Sequence, residues 1–284
     1  MIIARLQGGL GNQLFQYAAT KALAEKLSVP FKFDAITSLQ KDKQRKIALH
    51  DFQASFELAA KNEIKKFVFF PSLYRHSPSF FANFGKHIYR EPHFHFDQYF
   101  FRLTDPVFLD GFWQSPLYFK DIEDIIRQDF LIKENLIKNV KELGKELENR
   151  NSVAVHVRRG DFLTPKASMY HGVMDEGYYE KAITLIKEKQ QEVSVYYFSD
   201  DTDWVKRHLQ PHYAGFVSPY TLTAIEDFYL MTRCRHNIIA NSSFSWWTAW
   251  LNNHPGKMVV APKKWLAKDQ INTGDLIPSN WFCI

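Results

Sequence analysis

The chain is poor in cysteine, in long apolar runs and in several familiar signatures, and each shortage removes a class of explanation. Two cysteines, Cys234 and Cys283, stand among 284 residues; they give no disulfide framework and no C-x-x-C metal pair. A reducing compartment is the simpler reading. No run approaches the ~18 apolar residues needed to span a bilayer. Met1-Ile2-Ile3-Ala4-Arg5-Leu6 reads as a first strand and lacks the charged and apolar regions of a signal peptide. The chain is expected to be soluble, or at most peripheral to a membrane. It carries no repeat and no low-complexity segment. Its formal net charge of +5 is too small and too dispersed to argue for nucleic acid, but it suits an anionic ligand such as a nucleotide phosphate, or an anionic membrane surface.

Three catalytic signatures are missing as well. Gly8-Gly9-Leu10-Gly11 is not Gly-x-Gly-x-x-Gly and has no Lys-Ser/Thr after it, which removes the dinucleotide fingerprint and the P-loop. No Gly-x-Ser-x-Gly elbow surrounds Ser243, which removes the usual hydrolase nucleophile. Asp200 and Asp201 are adjacent, so their carboxylates diverge and do not match the Asp-x-Asp of metal-dependent glycosyltransferases. His93-x-His95 has no carboxylate or cysteine to complete a metal site, and no metal is expected there.

What is present is an alternation of short apolar, β-branched runs with amphipathic stretches, 45% of residues being apolar and 24% charged. The N-terminal part gives a strand over 2–6, a helix from about Asn12 to Leu27, a strand at 31–33, a helix over about 56–67, a strand at 107–109 and a helix near 117–127. Residues 67–101, dense in Phe, Tyr and His, have no clear period. They read either as an acceptor platform of aromatic faces or, preferably, as a local core built from Phe. An exposed helix over 133–151 leads into strands at 152–157, 193–198, 215–217, 237–240 and 257–261. Between these fall helices near 176–189, 203–209, 222–233 and 243–252. Such alternation means a parallel sheet with right-handed crossovers. The expected architecture is two α/β domains, 1–150 and 151–284, with a ligand in the cleft between them.

The candidate chemistry lies at strand ends. His156-Val157-Arg158-Arg159-Gly160-Asp161 follows the buried run 152–155, and a guanidinium fork there fits phosphate oxygens two at a time. In open α/β sheets, the carboxyl ends of strands are where ligands bind. Ser199-Asp200-Asp201 ends the next strand. Asp200 is expected to face a purine base, while Asp201 or Thr202 caps the following helix. Asn241-Ser242-Ser243 opens a helix, and its hydroxyls and backbone N–H groups suit a diphosphate; a plain serine cap is the alternative. Asn12 in the glycine turn is equally a ligand contact or a helix cap. Together these loops offer what a nucleoside diphosphate needs. A carbohydrate-binding module is the non-catalytic alternative, but it has no use for an arginine pair at a strand end.

These blocks resemble a known family. His156–Asp161 is similar to the His-x-Arg-Arg-x-Asp motif of α1,2- and α1,6-fucosyltransferases. With Gly8–Ala18, Phe198–Asp201 and Asn241–Trp247 in that order, the chain resembles bacterial α1,2-fucosyltransferases of glycosyltransferase family 11 over nearly its whole length. The resemblance implies a GT-B fold of two Rossmann-like domains, the second binding GDP-fucose. It implies inverting, metal-independent transfer to the 2-hydroxyl of a terminal β-galactoside, on an oligosaccharide or glycolipid, in the bacterial cytosol. No cofactor is implied beyond the donor itself. Other donor or acceptor specificities within the same fold remain open. Carried over by motif, Arg158 contacts the β-phosphate and Arg159 supports it. His156 contacts nucleotide or phosphate, and Gly9, Asn12 and Gln13 reach the diphosphate. Asp200 lies near guanine or ribose, and Asn241, Ser242 and Ser243 belong to the phosphate loop. Asp161 and Glu176 are the candidate bases for the acceptor hydroxyl; Asp161 is alternatively a structural partner of an arginine.

Overall fold

The computed structural model describes residues 1–39, 46–219, 221–268 and 270–284. It divides into two compact units. One comprises Met1–Leu131 with Gly274–Leu276, the other Ile132–Thr273 with Ile277–Ile284. Each is an α/β layer structure built on a wholly parallel sheet.

Among the described residues, the first unit runs β1 (Ile2–Arg5), α1 (Leu10–Leu27), β2 (Phe31–Asp34), three single-turn helices α2 (Lys61–Ile64), α3 (Pro71–Tyr74) and α4 (Pro78–Phe81), then β3 (Ile88–Arg90), β4 (Val107–Asp110) and α5 (Glu123–Asp129). Its sheet order is β2-β1-β4-β3. The pleat sends alternate side chains to opposite faces. Ile3 and Phe108 meet Ile64, Phe67, Val68 and Tyr74 on one face. On α1, Tyr17 packs with Phe31, Phe33 and Phe130. Arg5 is buried but paired with Asp110 at 3.1 Å, and Asp110 also accepts from the Tyr74 hydroxyl at 2.8 Å. A buried charge is tolerable only when it is paired in this way.

The helix expected over 56–67 is reduced to α2. The stretch before it runs beside β2: the Phe33 amide donates to the Glu57 carbonyl and the Ala59 amide to the Phe33 carbonyl, both at 2.8 Å. An edge strand with open backbone groups has taken hydrogen bonds that a helix would have used internally. The aromatic stretch 67–101 is divided: Phe67, Val68, Tyr74 and Phe100 are buried as local core, whereas Phe69, Phe70, Phe80, Phe84 and Tyr99 are exposed.

The second unit runs α6 (Lys141–Asn149), β5 (Ser152–Val157), α7 (Pro165–His171), α8 (Glu176–Lys189), β6 (Ser194–Ser199), α9 (Thr202–His208), β7 (Gly215–Val217), α10 (Ala224–Arg233), β8 (His236–Ile238), α11 (Ser243–Leu251), β9 (Val259–Ala261) and β10 (Phe282–Cys283). Its sheet order is β10-β9-β8-β5-β6-β7. Both faces are apolar, as a sheet covered on two sides requires. Val153, Val155, Val157, Val195 and Tyr197 face α8 and α9, where Ile183, Ile186 and Val205 await them. Ala154, Tyr196 and Phe198 face the other way, toward Leu147 of α6 and Leu230 and Met231 of α10. This packing moves the boundary. Residues 133–151 were expected as an exposed helix leading into the second domain. Instead Ile137, Val140 and Leu147 are buried in the second unit's core, so the break falls at 131/132.

Candidate active site

From β5 the chain winds outward through β6 to β7, then returns to build β8, β9 and β10 on the opposite side. The strand order therefore reverses between β5 and β8, and ligands bind outside the carboxyl ends of strands at such a switch point. The two motifs singled out in the sequence stand on its two banks: 156–161 follows β5 and 241–243 follows β8. The His156 and Phe244 rings approach to 5.6 Å between centroids, which joins the banks.

Arg158 lies between two carboxylates. One guanidinium nitrogen pairs with Asp161 at 2.6 Å and another with Asp200 at 2.8 Å, leaving the side chain 33% exposed. Its guanidinium also lies over the Phe162 ring. Arg159 is held harder. Its Nε donates to Asp201 at 3.1 Å, and the guanidinium sits 4.4 Å above the Trp204 ring of α9. Arg159 is thus a fixed cation, whereas Arg158 keeps an open edge.

Asp200, expected beside a purine base, has both its oxygens engaged by the arginine loop. One of its oxygens accepts the backbone amides of Arg159 and Gly160 at 2.8 and 3.1 Å, and the other takes Arg158. The carboxylate is consumed in shaping the arginine loop. Gly160 makes this possible, because a β-carbon there would lie 2.7 Å from an Asp200 oxygen. Asp201 is the cap: it accepts the Trp204 amide at the start of α9. Asp161 is arranged as the partner of Arg158, which is the structural alternative of its two expected roles.

Glu176, the second candidate base, opens α8 and pairs with Nδ1 of His208 at 3.1 Å, at the end of α9 opposite Asp201. Glu176 groups with Glu180 and His212, their ligand atoms within 4.8 Å of one another. Glu176 is thus engaged with His208, whose ring stacks on Trp204, the same ring that carries Arg159.

His156 is buried, and its Nδ1 has no partner among the described residues. Burial, reinforced by the Arg158 charge, pushes its imidazole down to about 3. The ring is neutral near pH 7 and can offer one N–H but no charge. On the other bank, Ser242 occupies the cap position of α11 without making a side-chain cap bond, so a plain cap is not its role. Asn241 is buried; its amide ties down the carbonyls of His171 at 2.8 Å and Trp265 at 3.2 Å. It shapes the loop that presents Ser242 and Ser243.

In the first unit, Gly8 adopts φ +80°, and a β-carbon would meet Asn12 at 2.3 Å, so the turn requires glycine. Gly9 caps α1 and has open space beside it. Asn12 lies inside the helix and is not its cap; its Oδ1 accepts from Gln114 at 2.7 Å. Gln13 is corrected outright. It is fully buried, its amide donating to the carbonyls of Gly8 and Lys46 and its oxygen accepting from Ala48. Its hydrogen-bonding capacity goes into the fold, so it is not a diphosphate ligand.

Sequence reasoning missed Trp204 and Phe162, the two rings that support the arginines. The available signal was an aromatic immediately beyond each polar strand end.

Comparison with known proteins fits this geometry. The family model described as glycosyl transferase family 11 matches residues 1–284. The chain belongs to glycosyltransferase family 11. It is 34% identical to the O-antigen biosynthesis glycosyltransferase WbnK of Escherichia coli, covering 97% of this chain and 98% of that protein. It is 32% identical to an α-1,2-colitosyltransferase of Escherichia coli, covering 99% and 98%. The galactoside α-(1,2)-fucosyltransferase 1 of Rattus norvegicus is 28% identical over 52% of this chain and 43% of its own. Among solved structures, a variant of Arabidopsis thaliana FUT1 in complex with GDP aligns with a TM-score of 0.58 at 11% identity, over 98% of this chain and 74% of that one. NodZ α-1,6-fucosyltransferase soaked with GDP-fucose aligns at 0.52 and 17%, over 88% and 91%. These likenesses establish the fold, an α/β architecture of the GT-B type. No helix among the described residues is long and apolar enough to cross a membrane.

Proposed function

We propose that this family 11 enzyme transfers L-fucose from GDP-fucose, with inversion and without a metal ion, to the 2-hydroxyl of a terminal β-galactoside. The observation that carries the reading is the guanidinium of Arg158, held part-exposed at the switch point by Asp161 and Asp200. As the glycosidic bond to GDP breaks, negative charge grows on the β-phosphate oxygen. A preorganised cation there stabilises the transition state more than the ground state. Arg158 supplies it at any physiological pH. The phosphate takes the place of Asp161, the more exposed of the two partners. The exchange is inexpensive, because an exposed ion pair is worth only ~0–1 kcal/mol. Ser242, Ser243 and the N-terminal amides of α11 take the remaining phosphate oxygens. His156 contributes a neutral ring N–H. Contact by Gly9 and Asn12 is supported by the family resemblance.

A second donor is favoured by one specific finding, the 32% identity to an α-1,2-colitosyltransferase across essentially the whole chain. The two readings share the site and differ in the sugar. The deciding experiment gives the purified enzyme GDP-fucose or GDP-colitose with a panel of galactosides and identifies products by mass spectrometry and linkage by NMR. Fucosylated 2-linked product is expected, with turnover unchanged by EDTA. Transfer from GDP-colitose alone, another linkage, or loss of activity on chelation with recovery on adding Mn²⁺ or Mg²⁺ would each refute the corresponding part of the proposal.

A further inference from the structure

The positive excess, read above as dispersed, is in fact concentrated in one stretch. Residues 61–90 contain six Lys or Arg (Lys61, Lys65, Lys66, Arg75, Lys86 and Arg90) and a single acid, Glu63. This stretch therefore accounts for the whole net charge of +5, and the remainder of the chain is balanced. Glu63 is matched by Lys32 from outside the stretch and Arg90 by the buried Asp110, so the other cations of the stretch are Lys61, Lys65, Lys66, Arg75 and Lys86. The same residues carry an apolar surface. Phe69, Phe70, Leu73, Phe80 and Phe84 are 44–56% exposed. Three of the rings are joined through Phe81: Phe80 packs edge-on against it, Phe84 packs against both Phe80 and Phe81, and Phe70 packs against Phe81. Contiguous exposed aromatics mark an interaction site where isolated ones do not.

We infer that this face of the first unit seats on an anionic bilayer surface. The charge complementarity decides the occupant. Aromatic side chains enter the headgroup boundary while surrounding Lys and Arg meet anionic lipid. The helices here are single turns, α2 to α4, so the face lies on the membrane and does not cross it. A protein partner would leave the one-sided charge unexplained unless it were itself acidic. A sugar platform would need the rings and not the lysines. The inference is independent of the donor and of the Arg158 site.

The test is flotation of the intact protein with phosphatidylcholine vesicles, with and without phosphatidylglycerol. Binding is expected with phosphatidylglycerol, weakening as salt is raised. Lys65→Ala with Lys66→Ala should weaken it roughly 30-fold, as each surface lysine contributes about fivefold. Phe70→Ser with Phe80→Ser should abolish it even at low salt. Both variants change exposed residues. They should keep the wild-type circular dichroism and the wild-type turnover on a soluble galactoside. Flotation that ignores phosphatidylglycerol, or that survives both variants, would overturn the inference. So would loss of turnover on the soluble acceptor in the Phe variant with vesicle binding intact, which would make the rings a sugar platform.

Discussion

At the scale of single residues, the site is a set of carboxylates holding cations in place. Arg158→Ala should leave the fold intact, because the side chain is part-exposed, and should cost at least ~10²–10³ in rate, the loss seen when one oxyanion donor is removed. Arg158→Lys should recover little of it, since a point charge cannot reproduce a two-nitrogen contact. Steady-state turnover with GDP-fucose checks both. Asp161→Ala separates that residue's two roles. A positioning role leaves kcat within about tenfold and the pH profile unchanged, whereas a base would lose ~10²–10⁴ together with the acidic limb. His156 gives a pH signature of its own. Its folded-state pKa, near 3, is depressed from 6.5. The unfolded chain therefore binds the proton first, and stability falls as pH drops below 6.5 and continues to fall toward 3. The slope from this group reaches about 1.4 kcal/mol per pH unit. Urea melts of His156→Gln should show a shallower decline over that range. The arginines, the serines and the capping aspartate were legible in the sequence because residue type at a strand end limits what it can do. What Asp200 and Gln13 point at was not legible, since that depends on a loop folding back on itself.

At the scale of elements, strands buried on both faces were the easiest to read: β5 was placed to the residue, and β6 was shifted by one at each end. Among the short edge strands the outcome was mixed: β2 and β7 were read at 31–33 and 215–217, whereas β3 and β10, three and two residues long, were missed. Phe56, Ile64 and Phe67 fit helical spacing, yet the backbone between Phe56 and Ala60 is claimed by the neighbouring β2 edge, a long-range competition that periodicity cannot register. The tight pairing of β6 with β7 can be probed directly. A β-carbon on Gly215 would lie 2.5 Å from the Val195 carbonyl oxygen, a backbone atom with little room to move. Gly215→Ala should therefore destabilise the protein by about 1–3 kcal/mol, the usual range for overpacking. Denaturant melts should show this, with the Michaelis constant for donor left as it was, because β7 carries none of the arginine loop.

At the scale of the molecule, family membership, an α/β fold and two parallel sheets agree with the order of motifs along the chain. The division into units was only partly legible. A charged, helical stretch such as 133–149 looks like a linker until its few apolar residues find a core. The chain's return at Gly274–Leu276 left no sequence signal at all. There the Asp275 carboxylate accepts the Phe96 amide, and the Asp275 carbonyl accepts the Ser115 hydroxyl at 3.2 Å. Asp275→Ala should speed hydrogen exchange at Phe96 while leaving exchange in β5 and β6 unaltered. On a ribosome this return sets an order of events. The first half of the message encodes a unit that emerges early but lacks one of its own stitches. That stitch arrives only after most of the second unit has been translated, so a nascent chain stalled before residue 274 would expose the Phe96–Ser115 region to proteases that the folded enzyme resists.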